Sequence, residues 1–153
     1  MHDIIVNAPV PPTLNTAVST KAHAGVDHSV NLPLANPSGA ECRTGGANGA
    51  HKLVFTFATP VTVNGTPKAQ VTSGAGTVSN VTVDGAKVTV ELTAVSNAQK
   101  ITVTLFSVSD QANTGDVSVP MYVLAGGHKR GYARERLRYQ PNQVSLRSIN
   151  SRR

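Results

Sequence analysis

The sequence predicts an all-β fold, an immunoglobulin-like antiparallel β-sandwich of about seven or eight strands. Apolar residues alternate with Thr and Ser over short runs, and Gly, Asn, Asp or Pro separate those runs. No stretch shows the apolar spacing of an amphipathic helix. The chain of 153 residues is long enough for one domain with its own core, and a hydrophobic content of 39% suits a sandwich rich in Val and Thr.

The N-terminal region predicts a linker followed by two strands. Residues 1–16 contain three closely spaced prolines, which favour extended chain. Ala17–Lys21 is expected to form an edge strand, and Val26–Leu32 a second strand with alternate residues on one face. The next segment, ANPSGAECRTGGANGA, is rich in Gly, Ala and Asn. We expect it to be a long loop.

From Lys52 onward the alternation of apolar and polar residues becomes regular. In NVTVDGAKVTVEL, two alternating runs flank Asp84-Gly85. Asp-Gly accepts positive φ, so this segment predicts a tight hairpin. KLVFTF and KITVTLFSVSD each predict a strand with one apolar face. The final strand, Val117–Leu124, contains Pro120, which cannot donate to a β-ladder and therefore predicts an edge or bulge position.

The charge of the chain is concentrated after residue 126. Residues 127–153 hold eight Lys and Arg against one Glu, a net charge of +7, whereas residues 1–126 hold six against seven, a net charge of −1. A basic block of this kind is typical of a solvated or nucleic-acid-binding arm. Cys42 is the only cysteine, which excludes an internal disulfide. The sequence contains neither a membrane-spanning apolar run nor the pattern of a signal peptide.

Few residues are candidates for metal binding or catalysis. Three histidines of the predicted sandwich could gather around a metal, but their spacing matches no zinc pattern, so we interpret them as surface or loop residues; they are His23, His28 and His51. Cys42 with Glu41 and His51 could suggest a thiol nucleophile, but no orienting third residue is evident, and we expect a small, partly buried cysteine.

The segment DQANTGD contains weak calcium candidates. Asp110, Asn113 and Asp116 place oxygen ligands within seven residues. The alternative interpretation is that these side chains stabilise a turn, which is the usual role of Asp and Asn in such segments. We therefore predict no metal, no cofactor and no catalytic residue for the chain.

Three stretches carry a resemblance to a known family: GAECRTGG, LVFTFATPVTVNG and NAQKITVTLFSVSD. With them, the segment from Ala17 to Gly126 resembles a bacterial extracellular β-sandwich domain that precedes a C-terminal type I dockerin in large exported proteins. The second strand departs from the family's pattern, which usually has Gly and Phe-Asp where this chain has AGVDHSVNLPL. The resemblance implies no activity that can be assigned to particular residues.

In the proteins that this segment resembles, a calcium-binding dockerin follows at the position of VLAGG, where this chain continues with the basic residues 126–153. Codons for these residues exist whose neighbouring frame reads roughly GDTNGD…VNASDISQTKS, with oxygen ligands spaced as in an EF-hand-like calcium loop. We therefore interpret the tail as an out-of-frame dockerin remnant. It is expected not to bind calcium, because this frame lacks the carboxylates.

These observations predict three regions: a Pro-containing linker (1–16), a β-sandwich domain (17–125) and a basic tail (126–153). The predicted function is a non-catalytic extracellular module for spacing, adhesion or display in a dockerin-bearing exported bacterial protein. The alternatives are a carbohydrate-binding module of a polysaccharide-degrading system and nucleic-acid binding through the tail. The expected partners are neighbouring domains or polysaccharide, with no specific nucleic acid and no membrane, and the module is expected to be monomeric and to lie outside the cell or on its surface.

Overall fold

The computed structural model describes residues 8–125, so the basic tail and the first seven residues lie outside the described range. Within that range the chain forms ten β-strands and a single-turn 3-10 helix. In chain order the strands are β1 (Leu14–His23), β2 (Val26–Leu32), β3 (Gly39–Glu41), β4 (His51–Phe57), β5 (Thr62–Val63), β6 (Ala69–Ser73), β7 (Thr77–Asp84), β8 (Lys87–Thr93), β9 (Gln99–Ser109) and β10 (Thr114–Val123). The described residues include no helix long and apolar enough to cross a membrane.

The strands form two five-stranded sheets packed face to face. Sheet A has the order β2-β1-β4-β8-β7 and is antiparallel throughout. Sheet B has the order β3-β10-β9-β5, and β6 also pairs with β9. The predicted all-β sandwich is therefore confirmed. The strand count is higher than predicted because sheet B includes very short strands, and one pairing, β3 with β10, is parallel rather than antiparallel.

Alternation along the strands places a continuous apolar layer between the two sheets. On β4 the inward residues Leu53, Phe55 and Phe57 are at most 2% exposed, and the residues between them are only partly buried. Burying one such side chain contributes about 1.5–3 kcal/mol, so these rows account for the packing of the sheets. The opposing row on β9 consists of Ile101, Val103 and Leu105, each fully buried.

The predicted Asp-Gly hairpin is present between β7 and β8. Asp84 lies opposite Lys87 in the register, which leaves two residues in the turn. Gly85 has a φ of 56°, in the left-handed region that glycine adopts without steric cost.

Two predictions for the N-terminal strands need correction. The strand that includes Ala17–Lys21 is not an edge strand, because β1 lies between β2 and β4. It also begins at Leu14, inside the predicted linker. The second strand spans Val26–Leu32 as predicted, but only Leu32 on it is buried, since β2 is the outermost strand of sheet A.

The predicted long loop contains a strand that the sequence pattern does not indicate. Gly39–Glu41 forms β3 and pairs in parallel with Met121–Val123 of β10. A Cβ atom on Gly39 would lie 2.9 Å from the Cα of Leu32, so only glycine allows the chain to pass this close to β2. Three residues are too few for alternation to predict a strand.

Pro120 lies where the missing N–H carries little cost. β10 lies between β3 and β9, but β3 covers only Met121–Val123, so β9 is the only strand paired with Pro120 in the described range. The irregularity in the register lies between Gly115 and Val117. The predicted edge position is therefore correct at Pro120 itself, although β10 as a whole is not an edge strand. The alternative prediction, a bulge at Pro120, is wrong, because the bulge lies nearer the start of β10.

Candidate functional site: an ionic cluster at one end of the sandwich

At one end of the sandwich, the inward rows of the sheets change from apolar to ionic side chains. On β1, Ser19 and Lys21 continue the alternation that begins with buried Ala17. On β4, His51 lies two residues before the buried Leu53. The remaining members come from β3 and the residues after it: Glu41 and Arg43. We call these five residues, Ser19, Lys21, Glu41, Arg43 and His51, the ionic cluster.

Glu41 is the centre of the cluster, and its carboxylate is fully satisfied inside the protein. Its Oε1 accepts hydrogen bonds from the backbone N–H of Arg43 at 2.9 Å and from Arg43 Nε at 2.8 Å. Its Oε2 accepts from Arg43 Nη2 at 2.6 Å and from the hydroxyl of Ser19. Glu41 is 0% exposed. Burial alone would raise the pKa of Glu41, but these hydrogen bonds outweigh it and lower the pKa to about 2.

Arg43 joins three strands through its guanidinium. Besides holding Glu41 of β3, it donates from Nη1 to the carbonyl oxygen of His28 at 2.7 Å and from Nη2 to that of Ser19 at 2.9 Å. One side chain therefore connects β3 of sheet B with β1 and β2 of sheet A. The fixed fork of five N–H donors on arginine suits this role, which a lysine would not fill.

Lys21 supplies the second cation of the cluster. Its Nζ donates to the carbonyl oxygens of Thr44 and Ala50, the latter at 3.4 Å. Partial burial lowers the pKa of Lys21, and so does nearby Arg43, while the Glu41 carboxylate acts in the opposite direction. The ammonium therefore holds the Gly-rich segment between β3 and β4 against the end of β1.

His51 is a buried residue of β4 rather than the surface or loop residue that the sequence analysis predicts. It is 4% exposed, and its Nδ1 has no hydrogen-bond partner among the described residues. Burial lowers the pKa of His51, and the charges of Lys21 and Arg43 lower it further, against the effect of Glu41. The burial of His51 can be predicted from the sequence, because His51 alternates along β4 with the inward-facing Leu53 and Phe55.

The structure does not bring the three histidines together as a metal site. His23 and His28 face each other across the β1–β2 hairpin with ring centroids 6.5 Å apart, while His51 is buried on β4. The described residues contain no group of three or more His, Cys, Asp or Glu placed to hold a metal ion. Cys42 is exposed rather than partly buried as expected, and neighbouring Glu41 is held by Arg43.

Two of the three weak calcium candidates, Asp110 and Asp116, accept hydrogen bonds from backbone N–H groups. Asp110 Oδ1 accepts from the backbone N–H groups of Ala112 and Asn113, at 2.8 and 2.7 Å, which is the geometry of an Asp-stabilised turn. These bonds lower the pKa of Asp110. Asp116 Oδ1 accepts from the backbone N–H of Ser107 at 2.9 Å. Asp110 therefore acts as the turn interpretation describes, whereas Asp116 bonds to the backbone of β9.

The outer face of sheet B carries an ordered row of hydroxyl groups. The hydroxyl of Thr104 lies 2.8 Å from that of Thr72 and 2.8 Å from that of Ser118, which links β6, β9 and β10. On the same face Tyr122 is 39% exposed, and Lys100 Nζ lies 5.4 Å from the centroid of its ring. This part of the surface is polar and includes the exposed ring of Tyr122.

Sequence reasoning missed Ser19, Lys21 and Arg43 as members of the cluster. For Ser19 and Lys21 a signal exists, since both keep the inward phase set by Ala17. Arg43 follows a strand that the pattern does not predict, so nothing local marks it. No protein-family model matches the chain, and no curated protein or solved structure is significantly similar to it.

Proposed function

We propose that this chain is a non-catalytic, immunoglobulin-like extracellular module that serves spacing, adhesion or display in a dockerin-bearing exported bacterial protein. The observation that carries the proposal is the state of Glu41, the carboxylate at the centre of the ionic cluster. A general acid or base must come within hydrogen-bond distance of a substrate. Glu41 is 0% exposed and is held by Arg43 and Ser19 instead.

The distribution of the other polar groups supports the same proposal. Arg43 ties together strands of both sheets, and Asp110 closes a turn, so the charged groups described above serve the architecture. The outer faces carry short hydroxyl side chains, which suit a stiff and soluble unit in a larger chain. The resemblance of residues 17–126 to domains that precede a dockerin supplies the expected context.

The test of this proposal is the sequence of the gene and its surroundings. We expect an export signal and further domains upstream, and a dockerin reading in a frame next to that of residues 126–153. A locus with neither feature would contradict the exported, dockerin-bearing context. A separate assay of the full chain against a panel of polysaccharide and ester substrates should show no turnover, and measurable turnover would contradict the non-catalytic role.

Carbohydrate binding is the second candidate, and the outer face of sheet B favours it. Sugar rings pack on aromatic faces, and Tyr122 offers such a face on the same side of sheet B as the hydroxyl row of Thr72, Thr104 and Ser118. In a pull-down with insoluble polysaccharides, Tyr122→Ala should abolish retention of the full chain. The matched control is Val26→Ala, which removes a comparably exposed apolar side chain from sheet A. Equal retention of both variants would contradict this candidate.

Nucleic-acid binding through the basic tail stays a prediction from composition, because residues 126–153 lie outside the described range. If the tail binds through charge alone, its affinity for DNA should vanish at moderate salt. Deletion of residues 126–153 with unchanged binding would remove this candidate.

A further inference from the structure

We propose that a basic depression beside the ionic cluster binds the oxyanion of a small acidic sugar, either a carboxylate or a sulfate ester. The depression lies between the β1–β2 hairpin and the loop after β3, and its volume is about 470 Å³. Four of its seven lining residues are basic and none is acidic. The basic residues are Lys21, His23, His28 and Arg43. This site goes beyond the proposed function, which assigns no ligand to this end of the sandwich.

Both permanent cations of the depression retain a hydrogen-bond donor. The ammonium of Lys21 has three N–H groups, and carbonyl oxygens of Thr44 and Ala50 accept two of them. The guanidinium of Arg43 has five, and four are taken by Glu41, Ser19 and His28. Within the described range each cation is therefore left with one N–H that can point at a ligand.

The charge balance also favours an anion. Arg43 is neutralised by Glu41, and this is the single salt bridge between described residues, so Lys21 has no carboxylate partner there. Lys21 is also partly desolvated, which is reflected in its lowered pKa. An oxyanion beside its ammonium would compensate both effects, since charge-assisted hydrogen bonds are about twice as strong as neutral ones.

His51 has unfilled hydrogen-bonding capacity in a neighbouring depression rather than in the proposed site itself. A second depression of about 460 Å³ shares Lys21, Ala22 and Thr44 with the first and includes His51 in its lining. The imidazole is 4% exposed, and its Nδ1 is the one buried side-chain polar atom without a partner in the described range. The acidic Glu91 lies in this second depression and not in the first.

The size and lining of the depression indicate the body of the ligand. Pockets for small molecules are typically about 300–1,000 Å³, so this one accommodates a unit the size of a monosaccharide. Beyond the basic residues its lining is Ala22, Thr44 and Gly46, which are small and offer no large apolar wall. A polar ligand body with one anionic group fits these walls, and a uronic acid or a sulfated sugar has this form.

The test is a titration of the full chain, followed by the backbone amide signals in NMR, at constant ionic strength. The probes are D-galacturonate, D-galactose 6-sulfate and neutral D-galactose. We expect saturable shifts of Ala22, Thr44 and Gly46 with one or both acidic probes and none with galactose. The two acidic arms distinguish a carboxylate from a sulfate as the preferred group.

Matched variants assign the binding to this depression. Lys21→Gln should weaken binding about tenfold, as expected for the loss of one charge-assisted hydrogen bond. Lys68→Gln removes the same charge from an exposed position just before β6 in the other sheet and should leave the affinity unchanged. Lys21→Arg keeps the charge and should retain binding. It replaces Lys21→Gln as the test variant if the glutamine variant does not fold.

Two outcomes overturn the proposal. The first is the absence of saturable shifts at Thr44 and Gly46 of the unmodified chain with both acidic probes. The second is an equal loss of affinity in Lys21→Gln and Lys68→Gln, which would mean that the probes respond to overall charge. Neither result bears on the proposed role as a non-catalytic module, which is tested separately by the gene context and the turnover assay.

Discussion

The space between the two sheets is filled by apolar side chains in the middle of the sandwich and by polar and charged side chains at one end. In the middle, the inward positions of β4 and β9 carry Phe55 and Val103 and neighbours like them, all dry and apolar. At the end, the inward positions of β1, β3 and β4 carry Ser19, Glu41 and His51, equally inaccessible to water. The inward phase of a strand therefore specifies burial but not polarity.

The two regions hold the sheets together by different means. The apolar middle stabilises in proportion to the area removed from water and tolerates any well-fitting apolar set. The ionic cluster depends on particular partners, because a buried carboxylate is tolerable only while its hydrogen bonds are complete. We infer that the middle provides most of the stability and that the cluster fixes how the short strand β3 docks against β1 and β2.

The largest effect is expected in the middle of the sandwich. Phe55→Ala should lower the free energy of unfolding by about 3–5 kcal/mol, because it removes a fully buried ring and leaves a cavity. The measurement is chemical denaturation, with Val54→Ala on the opposite face of β4 as the control. A similar loss in both variants would contradict the assignment of the dry core to this face.

A second prediction concerns the partner of Glu41. Arg43→Met should lower the free energy of unfolding by about 3 kcal/mol, because it leaves a buried carboxylate without its main donor. The double variant Glu41→Leu/Arg43→Met should be more stable than Arg43→Met alone, since no charge is then left unpaired. Denaturation curves of the three proteins decide this. If the double variant is the least stable of the three, the prediction is wrong, and the ion pair stabilises the fold by more than the cost of burying its two charges.

The pH dependence of stability should report on Glu41. Its folded-state pKa of about 2 lies below the ordinary 4.5, so its stabilising contribution is complete above 4.5 and is lost as the pH falls toward 2. In Glu41→Gln the decline of the unfolding free energy over this range should become shallower. Asp110→Asn is the comparison, because the pKa of Asp110 is also lowered but its carboxylate lies in an exposed turn. The smaller change should be seen in Asp110→Asn.

The smallest effect is expected for His51. Its pKa is lowered from the ordinary 6.5 by burial, so the folded state favours the neutral imidazole. Its contribution is therefore complete above pH 6.5 and decreases as the pH falls below that value. Between pH 8 and pH 5.5 the unmodified protein should lose slightly more stability than His51→Gln. His28→Gln, at an exposed position, should behave like the unmodified protein, and a matching effect there would contradict the role of burial.

The regular part of the fold could be predicted from sequence because its signals are local. Strict alternation of apolar and polar residues around Asp84-Gly85 predicts the β7–β8 hairpin. The same alternation predicts the buried row of β9 that includes Ile101. The position of β3 could not be predicted, because its three residues pair with β10 at the far end of the described chain. The role of Arg43 cannot be predicted from the sequence either, since it exists only once β3 is docked.

The ionic cluster shows a further limit of pattern reading. A period-two alternation predicts apolar residues at the inward positions, so it assigns His51 to the surface and gives no role to Ser19. Their phase is the same as that of Leu53 and Ala17, and the structure buries them accordingly. The partners that make this burial possible, Glu41 above all, come from a different sheet, and no spacing in the sequence reveals them.

The parallel pairing of β3 with β10 also sets an order of events for a chain that emerges from its N-terminus. The backbone N–H of Leu124 donates to the carbonyl oxygen of Glu41 at 3.0 Å, and Met121–Val123 form the neighbouring strand. Glu41 and Arg43 are therefore synthesised long before β10, the strand that pairs with β3. Among the described strands only β10 pairs with β3, so we expect this end of the sandwich to close only after β10 has been made.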